Sequence, residues 1–251
     1  MKIVIYGACR HRDLEKYGVD RRKGIKNIKS KYPIDFKIFV DENKSLSDET
    51  REIVGDQTEI IDVRHKPTQN LALLPSMLAP DPLRRRELGY RGMCLFYSSE
   101  FIHYLSGYDY AIRLDADSIV SSTLNIDNFI HSEMIHGYAT DKLDYHAATR
   151  ETLPNAIKKY VRENGIQILC DEEEINLSHF YSNFSIKKLD FWRSEQVVKF
   201  MNFIHSEDGI QKYRWGDHVL QANTLKMFCP KDKIIKLDFK YEHCSHGWNN
   251  H

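Results

Sequence analysis

The first quarter of the chain alternates between strand-like and helix-like segments, and this alternation is the feature that most constrains the fold. An apolar run at residues 2–8 is typical of a buried strand, and residues 13–32 carry apolar side chains at helical spacing. Further strands are predicted at 35–41 and 59–64, with a short helix at 46–54 between them. This order predicts an α/β chain with a mainly parallel sheet flanked by helices.

The rest of the chain continues the α/β pattern with less regular spacing. Prolines throughout residues 65–82 predict a loop rather than a helix or strand. We expect one domain over residues 1–251, with its C-terminal half packed over one end of the sheet. The predicted helices are 84–105, 153–164, 189–205 and 216–227, and the predicted strands are 108–114, 179–187 and 233–239.

The composition excludes several classes of protein. Apolar residues make up 41% of the chain, which supplies a core and excludes disorder for most of it. Lys plus Arg and Asp plus Glu are both 36, so no global basic field would attract nucleic acid. No apolar run approaches the roughly 18 residues that cross a bilayer. The five cysteines form no C-x-x-C pair, which disfavours a zinc site.

The first candidate site is a pair of carboxylates, Asp115 and Asp117, directly after the strand predicted at 108–114. In open α/β sheets ligands bind at the carboxyl ends of strands, and hard carboxylate oxygens suit Mg²⁺ or Mn²⁺. Such an ion can bridge a diphosphate. The pattern alone is weak, because about one such pair is expected by chance at this length. A solvated turn after the strand is the commoner explanation.

Other segments carry side chains that could complete a site. His243 could join the carboxylates as a metal ligand, with His246 as its rival. Trp215 and Asp217 lead into a predicted helix, where Asp217 is either the N-cap or a carboxylate beside a tryptophan platform for a sugar ring. Arg91 could fork onto phosphate, although an exposed helix face is the commoner position for such an arginine.

Six short motifs follow one another along almost the whole chain. They are YRGMC at 90–94, DAD at 115–117, FYSNFS at 180–185, LDFWR at 189–193, RWGD at 214–217 and YEH at 241–243. Their order and spacing resemble those of the fungal-type α-1,2-mannosyltransferases of glycosyltransferase family 15, across about residues 3–246. Any one motif is weak, but six in order are specific.

The resemblance implies a GT-A fold, in which residues 1–117 hold the nucleotide and residues 118–251 complete the metal and acceptor sites. It implies Mn²⁺ or Mg²⁺ as cofactor, GDP-mannose as donor, retention of the anomeric configuration, and a glycan or glycoprotein hydroxyl as acceptor. The implied roles are donor binding by Tyr6, Arg10, Tyr90, Arg91 and Asp115; metal binding by Asp115, Asp117 and His243; acceptor binding by Trp215; and catalysis by Asp217, Asn183 and Ser185.

Two departures from the family bear on function. Ser185 stands where the family has the glutamate usually proposed as nucleophile, and a serine without an evident base is a poor substitute. We therefore expect same-face attack rather than a covalent intermediate. The chain also begins at its first strand, whereas fungal members are Golgi membrane proteins. We expect a cytoplasmic, possibly virus-encoded relative, or a Golgi-lumenal one whose anchor was removed.

Three other functions stay open. The chain could use another GDP- or UDP-sugar, or it could be a catalytically silent module that binds a nucleotide sugar or a glycan. A nucleotidyltransferase also places carboxylates at strand ends. The lack of a glycine-rich phosphate loop and of a basic face disfavours polymerase-like chemistry.

Overall fold

The computed structural model describes residues 1–9, 11–40, 48–55, 57–63 and 89–243. The predicted loop at 65–82 and the start of the helix predicted at 84–105 lie outside these ranges. In chain order the first elements are β1 (Ile3–Cys9), α1 (His11–Ile25), β2 (Ile28–Lys29), β3 (Ile34–Val40), α2 (Asp48–Val54), β4 (Thr58–Asp62), α3 (89–104, with a π-helical turn at Phe96–Glu100), β5 (Tyr110–Leu114), β6 (Ser118–Val120) and β7 (Leu124–Asn125).

The second half is built from shorter elements. They are α4 (Asp127–His131), β8 (His136–Tyr138), β9 (Asp141–Leu143), α5 (Ala147–Glu163), β10 (Ser178–Phe180), β11 (Phe184–Lys188), α6 (Leu189–Trp192), α7 (Glu195–Glu207), α8 (Gly209–Tyr213), α9 (Asp217–Phe228), β12 (Ile234–Lys236) and β13 (Tyr241–His243).

Seven strands form the central sheet in the order β12-β8-β11-β5-β1-β3-β4. Strand β11 runs antiparallel to both of its neighbours, and the other pairings are parallel. The prediction of a mainly parallel sheet is therefore confirmed. Strand β5 lies between β1 and β11, so the residues that follow Leu114 emerge at the middle of the sheet.

The apolar run of β1 is explained by burial on both faces. Val4 and Tyr6 belong to the larger core cluster, which includes residues of α3, α5, α7 and α9. Ile3 and Ile5 point into a second cluster on the other face. A strand covered on both sides shows a continuous apolar run rather than an alternating one. Among the described residues, no helix is both long and apolar enough to span a bilayer.

Three predicted elements differ from the structure in ways that matter for the site. The helix predicted at 13–32 ends at Ile25, because Ile28 instead enters β2 and pairs with Leu124 of β7. The strand predicted at 179–187 is two strands in different sheets, separated by a turn at 181–183. The helix predicted at 189–205 is likewise divided, into α6 and α7.

Candidate active site

The guanidinium of Arg113, on β5, is the centre of the site. Its Nε and Nη2 donate to the two carboxylate oxygens of Asp115 at 2.8 and 3.0 Å. Its Nη1 donates to Asp217 and, at 3.0 Å, to Ser182. The ring of Tyr97 lies under the guanidinium, 3.3 Å from its carbon. One buried arginine therefore joins the end of β5 to the turn at 181–183 and to the start of α9.

Asp115 is held within this network. Besides the two bonds from Arg113, it accepts a 2.9 Å hydrogen bond from the hydroxyl of Tyr97. Burial raises the pKa of Asp115, and the arginine opposes that shift. Both oxygens already have donors, and no group of three His, Cys, Asp or Glu side chains among the described residues is arranged to hold a metal. The structure therefore does not bring Asp115 together with the other two predicted metal ligands.

The other two predicted ligands do lie together. Nε2 of His243 is 3.2 Å from Oδ2 of Asp117, and the side-chain amide of Asn183 lies 2.6 Å from the same ring nitrogen. The reason is β13, which pairs antiparallel with β6 and places His243 opposite Ser118. The sequence analysis predicted no strand at 241–243. The rival His246 lies outside the described residues.

Asp217 is the second carboxylate on Arg113. It is buried at the first position of α9, where Gly216 is the N-cap, so the capping interpretation of Asp217 is wrong. Ser182 donates to it at 3.2 Å, and Nδ1 of His218 lies 3.7 Å from its other oxygen. Burial alone would raise the pKa of Asp217, but Arg113 and His218 lower it far below its usual range. Asp217 is thus an anion that can accept a hydrogen bond but takes up a proton poorly.

His218 continues the network to the edge of the site. Its Nε2 lies 3.7 Å from Oδ2 of Asp144, whose other oxygen accepts the backbone N–H of His146 at 2.8 Å. Burial would lower the pKa of His218, but Asp144 and Asp217 raise it to about 9. The imidazole is therefore a cation between two carboxylates. We refer to Asp144, His218, Asp217, Arg113 and Asp115 as the charge chain.

Sequence reasoning missed three members of the charge chain: Arg113, His218 and Asp144. A signal existed for Arg113, which is the one charged side chain within β5, directly before Asp115. His218 directly follows the RWGD motif. Asp144 carried no signal, because its place depends on the pairing of β9 with β10.

Ser185 lies beneath this network, opposite Arg113 in the β11–β5 register. Its hydroxyl accepts a hydrogen bond from Nζ of Lys187, and both residues are fully buried. Burial, with Arg113 nearby, lowers the pKa of Lys187 to about 7. The expectation that Ser185 has no base beside it is therefore wrong. Its burial, however, leaves its hydroxyl without an exposed surface.

Several predicted contact residues belong to the core instead. Trp215 is buried, and its indole N–H donates to Thr152 at 2.8 Å, so the predicted sugar platform is wrong at this position. Arg91 is fully buried and donates to the carbonyl of Gln211, which contradicts the predicted fork onto phosphate. Tyr6 is also fully buried, so it offers no surface to a donor.

The remaining donor-binding predictions have different outcomes. Tyr90 is partly buried, with the guanidinium of Arg214 4.1 Å from its ring centre, and its role stays a prediction. Arg10 lies outside the described residues. Tyr181, which the sequence analysis did not single out, lies edge-on to the imidazole of His243 with the ring centres 5.7 Å apart.

Comparison with known proteins identifies the family. The family described as glycolipid 2-alpha-mannosyltransferase matches residues 58–246, well over half of the chain. The glycolipid 2-alpha-mannosyltransferase 2 of Candida albicans is 31% identical over 189 residues. That alignment covers 62% of this chain and 41% of the relative, so the chain matches less than half the length of that protein.

Solved structures show the same fold. The mannosyltransferase Ktr4p of Saccharomyces cerevisiae, solved in complex with GDP, superposes with a TM-score of 0.76 at 22% identity, covering 96% of this chain and 70% of that one. Core-mannan synthase A of Aspergillus fumigatus, in an Mn/GDP form, gives 0.80 at 20% identity, covering 96% and 74%. The predicted GT-A fold is confirmed.

Proposed function

Since this chain belongs to the glycolipid 2-alpha-mannosyltransferase family, we propose that it transfers mannose from GDP-mannose to a sugar hydroxyl of a glycan. The observation that carries the proposal is the pairing of Asp117 and His243 beside the charge chain, at the carboxyl end of a central strand. Ligands of open α/β sheets bind at this edge. Related structures containing GDP, and in one case Mn²⁺, support the choice of donor.

The side chains of Asp117 and His243 fit a divalent ion as ligands. Asp117 supplies a carboxylate oxygen and His243 an imidazole nitrogen, 3.2 Å apart, which suits Mn²⁺ or Mg²⁺ when the remaining ligands are water and phosphate oxygens. When bound, such an ion supplies positive charge to the departing diphosphate. Asp115, with both oxygens engaged by Arg113, would act through water or on the nucleotide.

The protein's own residues would then position the two substrates. Asn183 lies beside His243 and would hold the donor near the ion. Asp217 is buried with Arg113, Ser182 and His218 around its oxygens, so it would act by holding Arg113 and the turn at 181–183 in place rather than by contacting the incoming hydroxyl. Because its pKa is held so low, we assign Asp217 to positioning rather than to proton abstraction. The burial of Ser185 supports same-face attack with retention, in which no serine adduct forms.

Nucleotide binding tests the proposal directly. GDP should raise the melting temperature of the protein in Mn²⁺ but not in EDTA, and Asp117→Ala should abolish the shift. The matched control is Asp232→Ala, an exposed carboxylate on a short 3-10 turn, which should leave the shift unchanged. Equal stabilisation by GDP in EDTA would contradict the metal site.

A hydrolysis assay then separates an enzyme from a silent binding module. Slow release of mannose from GDP-mannose in Mn²⁺ needs no known acceptor, and a panel of UDP-sugars tests the choice of donor. GDP binding without any hydrolysis or transfer would favour the silent module.

A further inference from the structure

The two-stranded sheet formed by β9 and β10 turns one of its faces towards the site. Lys142 of β9 lies directly opposite His179 of β10. Tyr181 continues the pairing, since its backbone N–H donates to the carbonyl of Thr140 at 2.8 Å. Opposite residues of an antiparallel pair share a face, and so do alternate residues of one strand. The side chains of this face are those of Thr140, Lys142, Asp144, His179 and Tyr181.

Three members of this face contact the site directly. Asp144 belongs to the charge chain, and the ring centre of His179 lies 4.2 Å from that of His218. The ring centre of Tyr181 lies 5.7 Å from that of His243, one of the two paired metal-ligand candidates. The face is therefore in contact with the charge chain at one end and with the metal-side histidine at the other.

Lys142 lies on this face next to Tyr181. Its ammonium nitrogen Nζ is 4.6 Å from the centre of the Tyr181 ring, within the range at which a cation is attracted to an aromatic face. Lys142 is partly buried, whereas its neighbours Asp141 and Leu143, which point the other way, are exposed. The ring of Tyr181 thus has both a cation and the imidazole of His243 as neighbours. A positive charge is held one side chain away from the paired metal-ligand candidates.

The balance of charge in the site favours a further cation. The charge chain contains three carboxylates and two cations, and Asp117 adds another carboxylate beside it. The charges of Arg113 and His218 are therefore offset within the network. A departing diphosphate gains negative charge, because the electron pair of its broken bond to mannose C1 stays on the diphosphate oxygen. A divalent ion supplies part of the compensating charge, and a side-chain cation at the same place can supply more.

We propose that Lys142 binds the diphosphate of the sugar donor, beside the ion held by Asp117 and His243, and donates hydrogen bonds to the oxygens of the β-phosphate as mannose leaves. This inference rests on the proposed function and adds a residue to its donor site. Lys142 keeps its own proton, the acceptor oxygen bonds to C1, and the proton of the acceptor hydroxyl leaves with GDP. Tyr181 is a positioning residue, because its ring holds the ammonium in place.

The test compares two nucleotides that differ by the β-phosphate. Binding of GDP and of GMP to the whole protein is measured by calorimetry in Mn²⁺. Lys142→Met should weaken GDP binding by about fivefold to twentyfold, in the range for a charged hydrogen bond at a partly exposed position. Binding of GMP should change by less than about twofold, because a contact to the β-phosphate is absent from that complex. Lys142→Arg and Tyr181→Phe should retain most of the affinity for GDP, since each keeps a cation over an aromatic ring.

Lys236→Met is the matched control, because Lys236 contacts Asp141 at 3.3 Å on the opposite face of the same strand. It should leave both affinities unchanged. Unchanged GDP affinity in Lys142→Met, or equal losses for GDP and GMP, would overturn the assignment of Lys142 to the β-phosphate. Failure of the proposed function would look different, since the unaltered protein would then show no thermal shift with GDP and would not hydrolyse GDP-mannose.

Discussion

Two buried charged regions lie side by side in this molecule and behave in opposite ways. In the charge chain, acidic and basic groups alternate, and every member touches an opposite charge. Lys187, beneath it, instead has the neutral hydroxyl of Ser185 as its hydrogen-bond partner and the ring of Phe101 at 5.9 Å. The pKa of His218 is raised to about 9, whereas that of Lys187 is lowered to about 7.

The difference shows what keeps a charge inside this fold. Burial disfavours the charged form of both groups, and the outcome depends on the neighbours. Two carboxylates preserve the cation on His218. Lys187 has Arg113 nearby and no carboxylate in hydrogen-bond contact, so its amine tends to give up its proton. The serine at 185, where the family resemblance implies a glutamate, removes a carboxylate from the side of this lysine.

Removing Arg113, which joins Asp115 and Asp217 in the charge chain, should have the largest effect on the free energy of unfolding. Arg113→Met leaves Asp115 and Asp217 buried without their shared cation, and breaking a buried pair costs about 3–5 kcal/mol. We expect a loss of that size in the free energy of unfolding, measured by chemical denaturation. Arg150→Met, at an exposed position on α5, should change stability by about 0.5 kcal/mol or less. Similar losses in both variants would mean that the charge chain does not stabilise the fold.

The second region is Lys187 with its partner Ser185, and removing its charge should raise the free energy of unfolding rather than lower it. Replacing a buried ion pair by apolar side chains of similar volume is often neutral or stabilising, by up to about 4 kcal/mol. Lys187 has no carboxylate in hydrogen-bond contact to leave unpaired, so we expect Lys187→Met to be stabilising at or below neutral pH. Between pH 7 and 10.5 the unfolded chain binds more protons at this lysine than the folded chain does. Its contribution therefore makes stability rise with pH in that window.

Denaturation of Lys187→Met across that window provides the measurement. The stability gap between variant and unaltered protein should shrink as the pH rises from 7 towards 10.5. The neighbouring Lys188, which is partly exposed near Glu133, supplies the control Lys188→Met. A gap that stays constant with pH would show that Lys187 keeps its charge, and would place it with the charge chain.

The third prediction concerns His218, whose contribution makes stability fall with rising pH, opposite to that of Lys187. Its folded pKa of about 9 lies above the unfolded value of 6.5, so its stabilising contribution is complete below pH 6.5 and is lost as the pH rises through 9. His218→Gln should cost about 1.5–3 kcal/mol at pH 6, the range for a hydrogen bond to a charged group, and little at pH 10. Thermal or chemical unfolding at both pH values measures this.

The exposed His103 provides the control, and His103→Gln should leave the pH dependence unchanged. Between about pH 7 and 9, Lys187 makes the free energy of unfolding rise with pH and His218 makes it fall. Removing either residue should therefore leave the pH dependence that the other one causes. A variant at His218 that loses equal stability at pH 6 and pH 10 would contradict the cationic imidazole.

The two regions also differ in how much of them could be predicted from the sequence. Strand-end chemistry is local, so Asp117 could be predicted from the apolar run before it, and its partner His243 from the residue types that bind metals. The charge chain depends on three separate elements meeting at Arg113, and no local pattern shows where Asp144 comes to lie. Trp215 was misassigned for the same reason, since a motif shows a residue's type but not whether its side chain faces the core.

Ser185, where the two regions meet, should give the smallest change in the free energy of unfolding. Ser185→Ala removes one hydrogen bond to Lys187, worth about 0.5–1.5 kcal/mol, and should keep substantial transfer activity because the buried hydroxyl does not attack the donor. Ser185→Glu is the sharper variant, since it gives Lys187 a carboxylate and should remove the rise in stability from pH 7 to 10.5. Turnover of GDP-mannose by Ser185→Glu should be unchanged or reduced. A large gain would show that the native chain is an impaired relative, and a glycosyl adduct on Ser185 would contradict same-face attack.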